Sequence, residues 1–497
     1  MTTPTMQQVL LTLQAPTSQG QRLLAAFRGV PALTRVDHGF DTAEGALASL
    51  GISLRLRQES RGWTQTMALN LGGQWVEHLV FLGASVKPHA PDIGRHRGAT
   101  VYAGLDVAVA QALEQACENG LQEQFRLKLE QRSRRRRLKG GTTIALTQQV
   151  GVLDSGVARV SVCSLELELV DGPSAPLFVE AMRWQSRHGL WLDVDPVSTA
   201  RGVRLALEPR SVKAVQASIP EVDAKTPADL FARKIIACCL DQVLGNASVV
   251  AGGAHGAEHV HQMRVGLRRL RIAIDELAEL NAGIDTGWGA VLSEVFQRLG
   301  ESRDIAMLAA LSRDELGPAG APALPAIELP SDEEVTAVAR GAEFQSVLIA
   351  IRRFTTGAAE GEGCAFEGSV REAIAPRLDR LHRVVRKRAQ DFLALSPVQQ
   401  HELRKSLKRL RYLAEFVAPL FRKRARSGYF DALTPAQDAL GRLNDRSVAL
   451  AAYEARPESE AAGKWFAIGW LVSQQRMAQA DAASALVMAG KAKRFWR

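Results

Sequence analysis

His261-Gln262-Met263-Arg264-Val265-Gly266-Leu267-Arg268-Arg269-Leu270-Arg271 returns 140 residues later as His401-Glu402-Leu403-Arg404-Lys405-Ser406-Leu407-Lys408-Arg409-Leu410-Arg411. Seven positions agree in register: the histidine, the Leu and Arg anchors, and a basic residue at 268 and 408. At about 100° per residue, His261, Arg264, Arg268 and Arg271 share one helix face, as do His401, Arg404, Lys408 and Arg411. Beside that face runs an apolar stripe: Val260, Met263, Leu267, Leu270, Ile274 and Leu277 in the first copy, Leu403, Leu407, Leu410, Ala414 and Val417 in the second. A helix that buries this stripe aims a column of cations along the edge of the core, and such a column calls for a polyanion. Most arginine-rich helices are solvated faces laced with salt bridges. The first copy, however, has no carboxylate from His261 through Ile274, so pairing within the helix cannot neutralise it.

The repetition reaches further. Leu299-Gly300 with Arg303-Asp304 recurs as Leu440-Gly441 with Asn444-Asp445, at an offset of 141. Each half therefore reads as a basic helix, an intervening helix and a small-residue turn ending in an aspartate. The pattern predicts two similar helical bundles whose basic faces converge across a pseudo-two-fold. Asp304 and Asp445 read as partners of basic residues or as caps, with no catalytic role. Pro318 to Pro330 is an Ala/Pro-rich seam between the halves, and Ser331-Asp-Glu-Glu is a helix start.

With its two H-x-x-R-x-x-x-[RK]-R-L-R copies and the later L-G-x-x-[RN]-D, the region resembles the CHAD domain, a duplicated helical module rich in histidine and basic residues. The resemblance covers about 225–497. It implies binding of inorganic polyphosphate in a basic central channel and association with polyphosphate granules. Carried over residue by residue, it points to His261, Arg264, Arg268, Arg271, His401, Arg404, Lys408 and Arg411 as the polyphosphate-binding set. Arg269 and Arg409 lie on the opposite flank of their helices, and Arg377, Arg380, Arg383 and Lys387 widen the basic surface.

Bulk properties agree with an anionic partner. The 497-residue chain carries a formal charge of +9 with 46% hydrophobic residues, a globular composition with a bias toward nucleic acid, anionic surfaces or phosphate polymers. Aromatics are only 6%, which weakens a nucleic-acid reading that stacks bases on rings. Five scattered cysteines with no C-x-x-C spacing support neither a disulfide framework nor a zinc site. Met1 to Leu24 lacks a basic-then-apolar leader pattern, and no run of about 18 apolar residues is evident. The expectation is a cytoplasmic protein without a membrane partner.

Residues 1–210 have a different grammar, α+β and dominated by an antiparallel sheet. Gln8 to Leu13, Ile52 to Arg57, Trp63 to Asn70 and Val157 to Val170 read as strands, and Val101 to Cys117 as a helix. A boundary falls near 209–227. The domain plan is therefore 1–210, a linker at 211–224, and a helical 225–497 with repeats at about 225–315 and 330–497.

Five stretches of this part are similar to the CYTH superfamily of triphosphate tunnel metalloenzymes: Phe40-Asp41-Thr42 with Leu47, Leu54-Arg55-Leu56-Arg57, Trp63-Thr-Gln-Thr66, Leu165-Glu166-Leu167-Glu168-Leu169 before Asp171-Gly172, and Ser198-Thr-Ala-Arg201-Gly202. The resemblance implies an eight-stranded antiparallel β-barrel or tunnel whose inward cations hold triphosphate and whose glutamates hold Mg²⁺ or Mn²⁺. Arg55, Arg57 and Arg201 would bind triphosphate, and Glu166 and Glu168 would bind the metal. The chain departs from that pattern. Where the family opens with E-x-E-x-K, it has Gln8-Val-Leu10-Leu-Thr12; expected lysines fall on Ala68 and Thr199; and Thr143 to Gln149 contains no acid. A degenerate tunnel follows, with little or no triphosphatase activity, whose Arg55 and Arg57 either bind phosphate or pair with Glu166 and Glu168. Of the basic run Arg132 to Arg137, at least two residues are expected to face solvent. The leading function is polyphosphate binding. A metal-dependent inorganic triphosphatase is the alternative, and nucleic-acid binding the third.

Overall fold

A computed structural model describes residues 9–16, 19–71, 74–84, 90–99, 102, 105–118, 120–195, 200–207, 212–322, 327–328, 331–357, 368–457 and 461–497. The chain divides into two compact units. One comprises 1–215, 244–262 and 339–353; the other comprises 216–243, 263–338 and 354–497.

The first unit is built on one antiparallel sheet of nine strands: β1 (Leu10–Gln14), β2 (Leu33–Asp41), β3 (Ile52–Glu59), β4 (Gly62–Leu71), β5 (Gln74–Gly83), β6 (Gln122–Arg137), β7 (Thr143–Asp154), β8 (Arg159–Asp171) and β9 (Trp191–Asp193). Their order is β5-β4-β3-β2-β6-β7-β8-β1-β9. Laid flat, β5 and β8 would stand about 29 Å apart at ~4.8 Å per strand. Yet Glu77 on β5 and Arg35 on β2 both act electrostatically on Glu166 of β8, so the sheet curls strongly about one face. Eight strands were expected; the sheet is antiparallel and curled as expected but has nine, and its pairing order ends at β5 and β9 without closing into a barrel among the described residues.

Directly opposed residues of an antiparallel pair share a face, so the registers sort the side chains. Arg35 and Asp37, Arg55 and Arg57, Thr64 and Thr66, Glu77, and Glu166 and Glu168 occupy the concave face. The same register puts Leu127, Leu129, Leu153 and Val162 there; these four pack with Val203 of the Ala200–Leu207 helix. Part of the expected lumen is therefore a dry core. On the convex face, Leu54 and Ile52 pack with Leu47, Met67, Leu69 and Leu113 under the Ala46–Ser49 and Val107–Glu118 helices. Phe40-Asp41-Thr42 earns its place locally: Asp41 accepts from the Leu47 and Ala48 amides at 2.8 and 3.0 Å, and Thr42 Oγ1 accepts from Ala46 N–H at 3.0 Å.

β2, β5, β6 and β7 were not legible as strands. In β6 the arginine run forms the strand's end, with Arg135, Arg136 and Arg137 exposed. Gln8 and Thr199 lie outside the described residues, as do Val101, residues 323–326 and residues 329–330.

The helical part repeats as its sequence does. Ala257–Leu277 and Pro397–Val417 are both 21 residues long and start 140 apart, and each runs into a three-residue 3₁₀ turn, Ala278–Leu280 and Ala418–Leu420. Helices Ala228–Gly252 and Val370–Gln390 precede them; Trp288–Leu311 and Lys423–Glu454 follow. Met263, Leu267, Leu270, Ile274 and Leu277 are fully buried, and Leu403, Leu407, Leu410, Ala414 and Val417 nearly so. At about 1.5–3 kcal/mol for each large apolar side chain, each stripe holds its helix in place against considerable repulsion at its edge. Ser331 and Glu334 form the reciprocal cap expected there.

Two sequence expectations change. Leu299-Gly300…Asp304 and Leu440-Gly441…Asp445 are not turns, because both stretches lie inside continuous helices. Ala228–Gly252 is long and apolar enough to cross a membrane, with a window of mean hydropathy 1.5. That window is 83% buried within the fold, as in the core helix of a folded domain.

Candidate functional site

Within the second unit, the basic faces of the Ala257–Leu277 and Pro397–Val417 helices converge. Arg264 is under the influence of Arg268, Arg303 and Arg404, and Lys408 under that of Arg268, Arg404 and Arg303. Five cations from three helices therefore form one cluster. Asp304 and Asp445 are the carboxylates beside them. Asp445 lies 3.4 Å from Arg303, and Asp304 lies 3.7 Å from it. Among the described residues, neither Arg264, Arg268, Arg404 nor Lys408 makes an ion pair with a carboxylate.

Local packing fixes the arginines before any ligand arrives. Arg264 is only 8% exposed. Its Nη1 donates to the Phe296 carbonyl at 3.1 Å, and its guanidinium lies 4.5 Å from the Phe296 ring centroid. Arg268 stacks on the same ring at 5.0 Å, a cation–π shelf shared by two cations. Gly300 makes room for this: a Cβ there would come within 2.7 Å of Arg264 Nη1. Arg404 Nε is buried with no hydrogen-bond partner.

The electrostatics show how crowded the cluster is. Burial, then the neighbouring arginines, disfavours the charged forms of Arg264 and Arg404. The same causes push the Lys408 amine down to about 6, with Asp445 acting weakly in the other direction. Burial holds Asp304 above the usual carboxylate range despite Arg303 and Arg264 nearby.

Other predicted residues have separate roles. Arg271 is half-buried and senses Asp275 and Arg268, while Arg411 donates to Gln437 Oε1. His401 is exposed and bonded to the Asn444 side chain; burial and then Lys405 and Arg404 lower its pKa. His261 stands exposed one turn before Arg264 on its helix. Arg269 and Arg409 are structural. Arg269, 2% exposed, donates to Gln242 and Ser218 O and lies 3.6 Å from Glu415. Arg409 pairs with Glu276 of the other repeat. Arg377 is similarly engaged by Glu279 and the Glu276 carbonyl. Arg303 and Phe296 were missed by the sequence reading, although Arg303 sits within the second recurring motif.

The concave face of the sheet is organised around a residue the sequence reading passed over. Asp37 has no exposure. Arg35 Nε donates to both of its carboxylate oxygens at 3.0 Å, Arg57 Nε donates at 2.9 Å, and Arg55 Nη1 lies 3.6 Å away. Burial works to raise its pKa, but the three guanidinia hold it well below the usual carboxylate range. Arg55 also donates to Glu77 at 2.9 Å. The partners of Arg55 and Arg57 are thus Asp37 and Glu77 rather than Glu166 and Glu168, because residue 37 lies opposite Arg57 in the β2–β3 register. The alternation Arg35-x-Asp37 was the available signal.

A divalent ion fits this face poorly. Hard cations take six or more oxygens, and even sites that keep waters need well-placed carboxylates. Burial raises the pKa of Glu166, favouring its protonated form, with Glu77 and Glu168 adding repulsion. Asp37 is committed to arginines, the residue opposite Glu166 on β1 is Thr12, and that on β7 is Thr147. No cluster of three His, Cys, Asp or Glu suited to a metal occurs among the described residues. Arg201 begins the Ala200–Leu207 helix, and its side chain lies outside what the structure describes.

Residues 234–454 match the family model of the CHAD domain, the stretch that carries both copies of the basic motif. No curated protein matches the chain. Among solved structures, it is similar to the CHAD domain from the plant Ricinus communis, at 26% identity over 56% of this chain and 97% of that one, with a TM-score of 0.43. It is also similar to an adenylyl cyclase-named protein from Hippeastrum with a dominant triphosphatase activity (17% identity, 37% and 90% coverage, TM-score 0.25). A third is a Bacillus halodurans protein named for adenylate cyclase (12% identity, 36% and 89% coverage, TM-score 0.25).

Proposed function

We propose that this protein binds inorganic polyphosphate through Arg264, Arg268, Arg303, Arg404 and Lys408, with Arg271, Arg411, His261 and His401 extending the contact, and that this binding places it on polyphosphate granules in the cytoplasm. The observation carrying this reading is the missing counter-charge: five clustered cations stand beside two carboxylates. Linear polyphosphate brings about one negative charge per phosphate and no bases. Its affinity would rest on charge-assisted hydrogen bonds and counterion release. Arginine forks match pairs of phosphate oxygens, whereas lysine acts as a point charge.

Competition between long-chain polyphosphate and duplex DNA at one salt concentration tests the ligand class. Polyphosphate should win, and Arg264→Ala combined with Arg404→Ala should weaken it at least tenfold and flatten the salt dependence while circular dichroism is unchanged. Preference for DNA would instead support the nucleic-acid reading. Tagging the protein in cells that accumulate polyphosphate tests granule placement.

The second reading, a Mg²⁺- or Mn²⁺-dependent triphosphatase, is favoured by Glu166 and Glu168 facing the same concavity as Arg35. Against it stand the neutralised arginines and the apolar packing inside the sheet. Phosphate release from triphosphate, abolished by Glu166→Ala, would establish hydrolysis; we expect none above background.

A further inference from the structure

Lys408 differs in kind from its neighbours. A guanidinium is the most basic of side chains and an amine gives up its proton more readily, so of the five clustered cations the Lys408 amine is the one able to shed its charge near neutral pH. Groups act on it from four helices: Arg268 from Ala257–Leu277, Arg303 from Trp288–Leu311, Arg404 from its own helix, and Asp445 from Lys423–Glu454. Asp445, the carboxylate among them, also faces Arg303 at 3.4 Å. His401, on the same helix, is turned to Asn444. Lys408 is half-buried, one helical turn from Arg404 on the same face, and makes no ion pair with a carboxylate among the described residues, so the neutral amine is favoured while no anion is present.

An anion reverses that balance. Phosphate oxygens placed among the arginines replace repulsion at Nζ with attraction, and the ammonium becomes the favoured form. We infer that this site takes up one proton from solvent, at Lys408 Nζ, when condensed phosphate binds, so that its affinity is governed by pH. This rests on the polyphosphate reading and adds a regulation to it: the cluster holds four fixed charges and a fifth that arrives with the ligand.

The size of the effect follows from linkage. Burial and then the neighbouring guanidinia push the free amine down to about 6, and a phosphate-bound ammonium moves back toward the ordinary lysine value of about 10.4. Between those values one proton accompanies each binding event, and Kd rises by up to about tenfold per pH unit. From pH 6.5 to 8.5 the affinity should fall by up to roughly 100-fold. Below pH 6 the amine is already charged and the dependence flattens, apart from the contribution of His401, which burial holds below the usual imidazole value.

Titration calorimetry of the full chain with long-chain polyphosphate, at pH 7.5 and fixed salt, tests this in two buffers of different ionisation enthalpy. The wild type should take up close to one proton. Lys408→Arg, which keeps the charge but cannot release it, should bind with the uptake lost and the pH profile flattened between 6.5 and 8.5. Lys408→Met serves if the longer side chain disturbs folding; it should also lose the uptake, with weaker binding at pH 6. Binding without proton uptake in the wild type, or equal uptake in Lys408→Arg, would overturn the inference and leave polyphosphate binding standing. Absence of any binding heat would overturn the polyphosphate reading itself, and the inference with it.

Discussion

Asp37→Asn is a demanding test of the sheet unit, because it removes one charge and almost no volume. Asp37 is fully buried and takes hydrogen bonds from Arg35 at 3.0 Å and Arg57 at 2.9 Å, with Arg55 at 3.6 Å. Deleting one partner of such a buried arrangement leaves cations uncompensated and costs about 3–5 kcal/mol. For a unit of this size, at ~2–4 °C per kcal/mol, the melting temperature should fall by roughly 6–20 °C. The pH dependence has a fixed sign. The depressed folded-state pKa means Asp37 contributes stability above the unfolded value near 3.9, and this is lost as pH falls further. Wild type and variant should therefore differ most near neutrality and converge in acid. A second readout separates electrostatics from packing. With Asp37 neutral, Arg35, Arg55 and Arg57 become available to an anion, so millimolar triphosphate should raise the melting temperature of Asp37→Asn. At 100 times Kd, binding to the native state adds about 2.7 kcal/mol. The wild type should gain much less. Equal stability of the two proteins at pH 7, or equal stabilisation by triphosphate, would refute the assignment of Asp37 as the internal counter-ion.

Three further outcomes follow from the helical unit. Gly300→Ala places a Cβ within 2.7 Å of Arg264 Nη1; titration should show polyphosphate affinity reduced several-fold, since helix propensity gains up to about 1 kcal/mol but the guanidinium must leave Phe296. Gly441→Ala meets nothing within 4 Å, so thermal melts should show stabilisation of about 0.5–1 kcal/mol with affinity unchanged. Lys408→Met should stabilise the unliganded protein by about 1–4 kcal/mol in urea melts. The gain should be largest below pH 6, where the wild-type amine is forced to be charged, and should vanish as pH approaches the unfolded lysine value.

Where side chains repeat with the period of the element, the fold was legible. Five of the six residues of the first stripe, Met263 to Leu277, and all five of the second, Leu403 to Val417, are buried as their spacing requires, Val260 being only half-buried, and the two 21-residue helices share one offset. β3 and β4 were legible for the same reason, from alternation. β6 was not, because a strand ending Arg-Ser-Arg-Arg-Arg-Arg buries few of its side chains and offers no apolar period. The second recurring motif misled through composition: Leu-Gly suggests a turn, but Gly300 sits mid-helix because Arg264 needs the space beside it. Counter-ion choice was hidden as well. Arg55 and Arg57 announce themselves in a line of text, whereas Asp37 becomes their partner only through the β2–β3 register.

The two units arrive at opposite answers from similar ingredients, and the difference lies in where the acids sit. In the sheet, Arg35, Arg55 and Arg57 face Asp37, Glu77, Glu166 and Glu168 across a concavity partly filled by Leu127, Leu129, Leu153 and Val162. Each of these three guanidinia has a carboxylate partner supplied by the chain, so a triphosphate binding to them would have to displace a carboxylate already in place. In the helical unit the acids are spent elsewhere. Glu276 and Glu415 hold Arg409 and Arg269 on the flanks, each reaching across to the other repeat. Those cross-braces bring the two basic helices together and leave Arg264, Arg268, Arg404 and Lys408 without carboxylate partners between them. Duplication makes this arrangement economical: one arginine of each copy secures the interface while the neighbouring basic positions keep their charge for a ligand. If that division is right, Arg409→Gln should destabilise the unit and weaken polyphosphate binding only through misplacement of Arg404 and Lys408. Raising ionic strength should then narrow the affinity gap to wild type far less than it does for Arg404→Ala, whose loss is a direct phosphate contact.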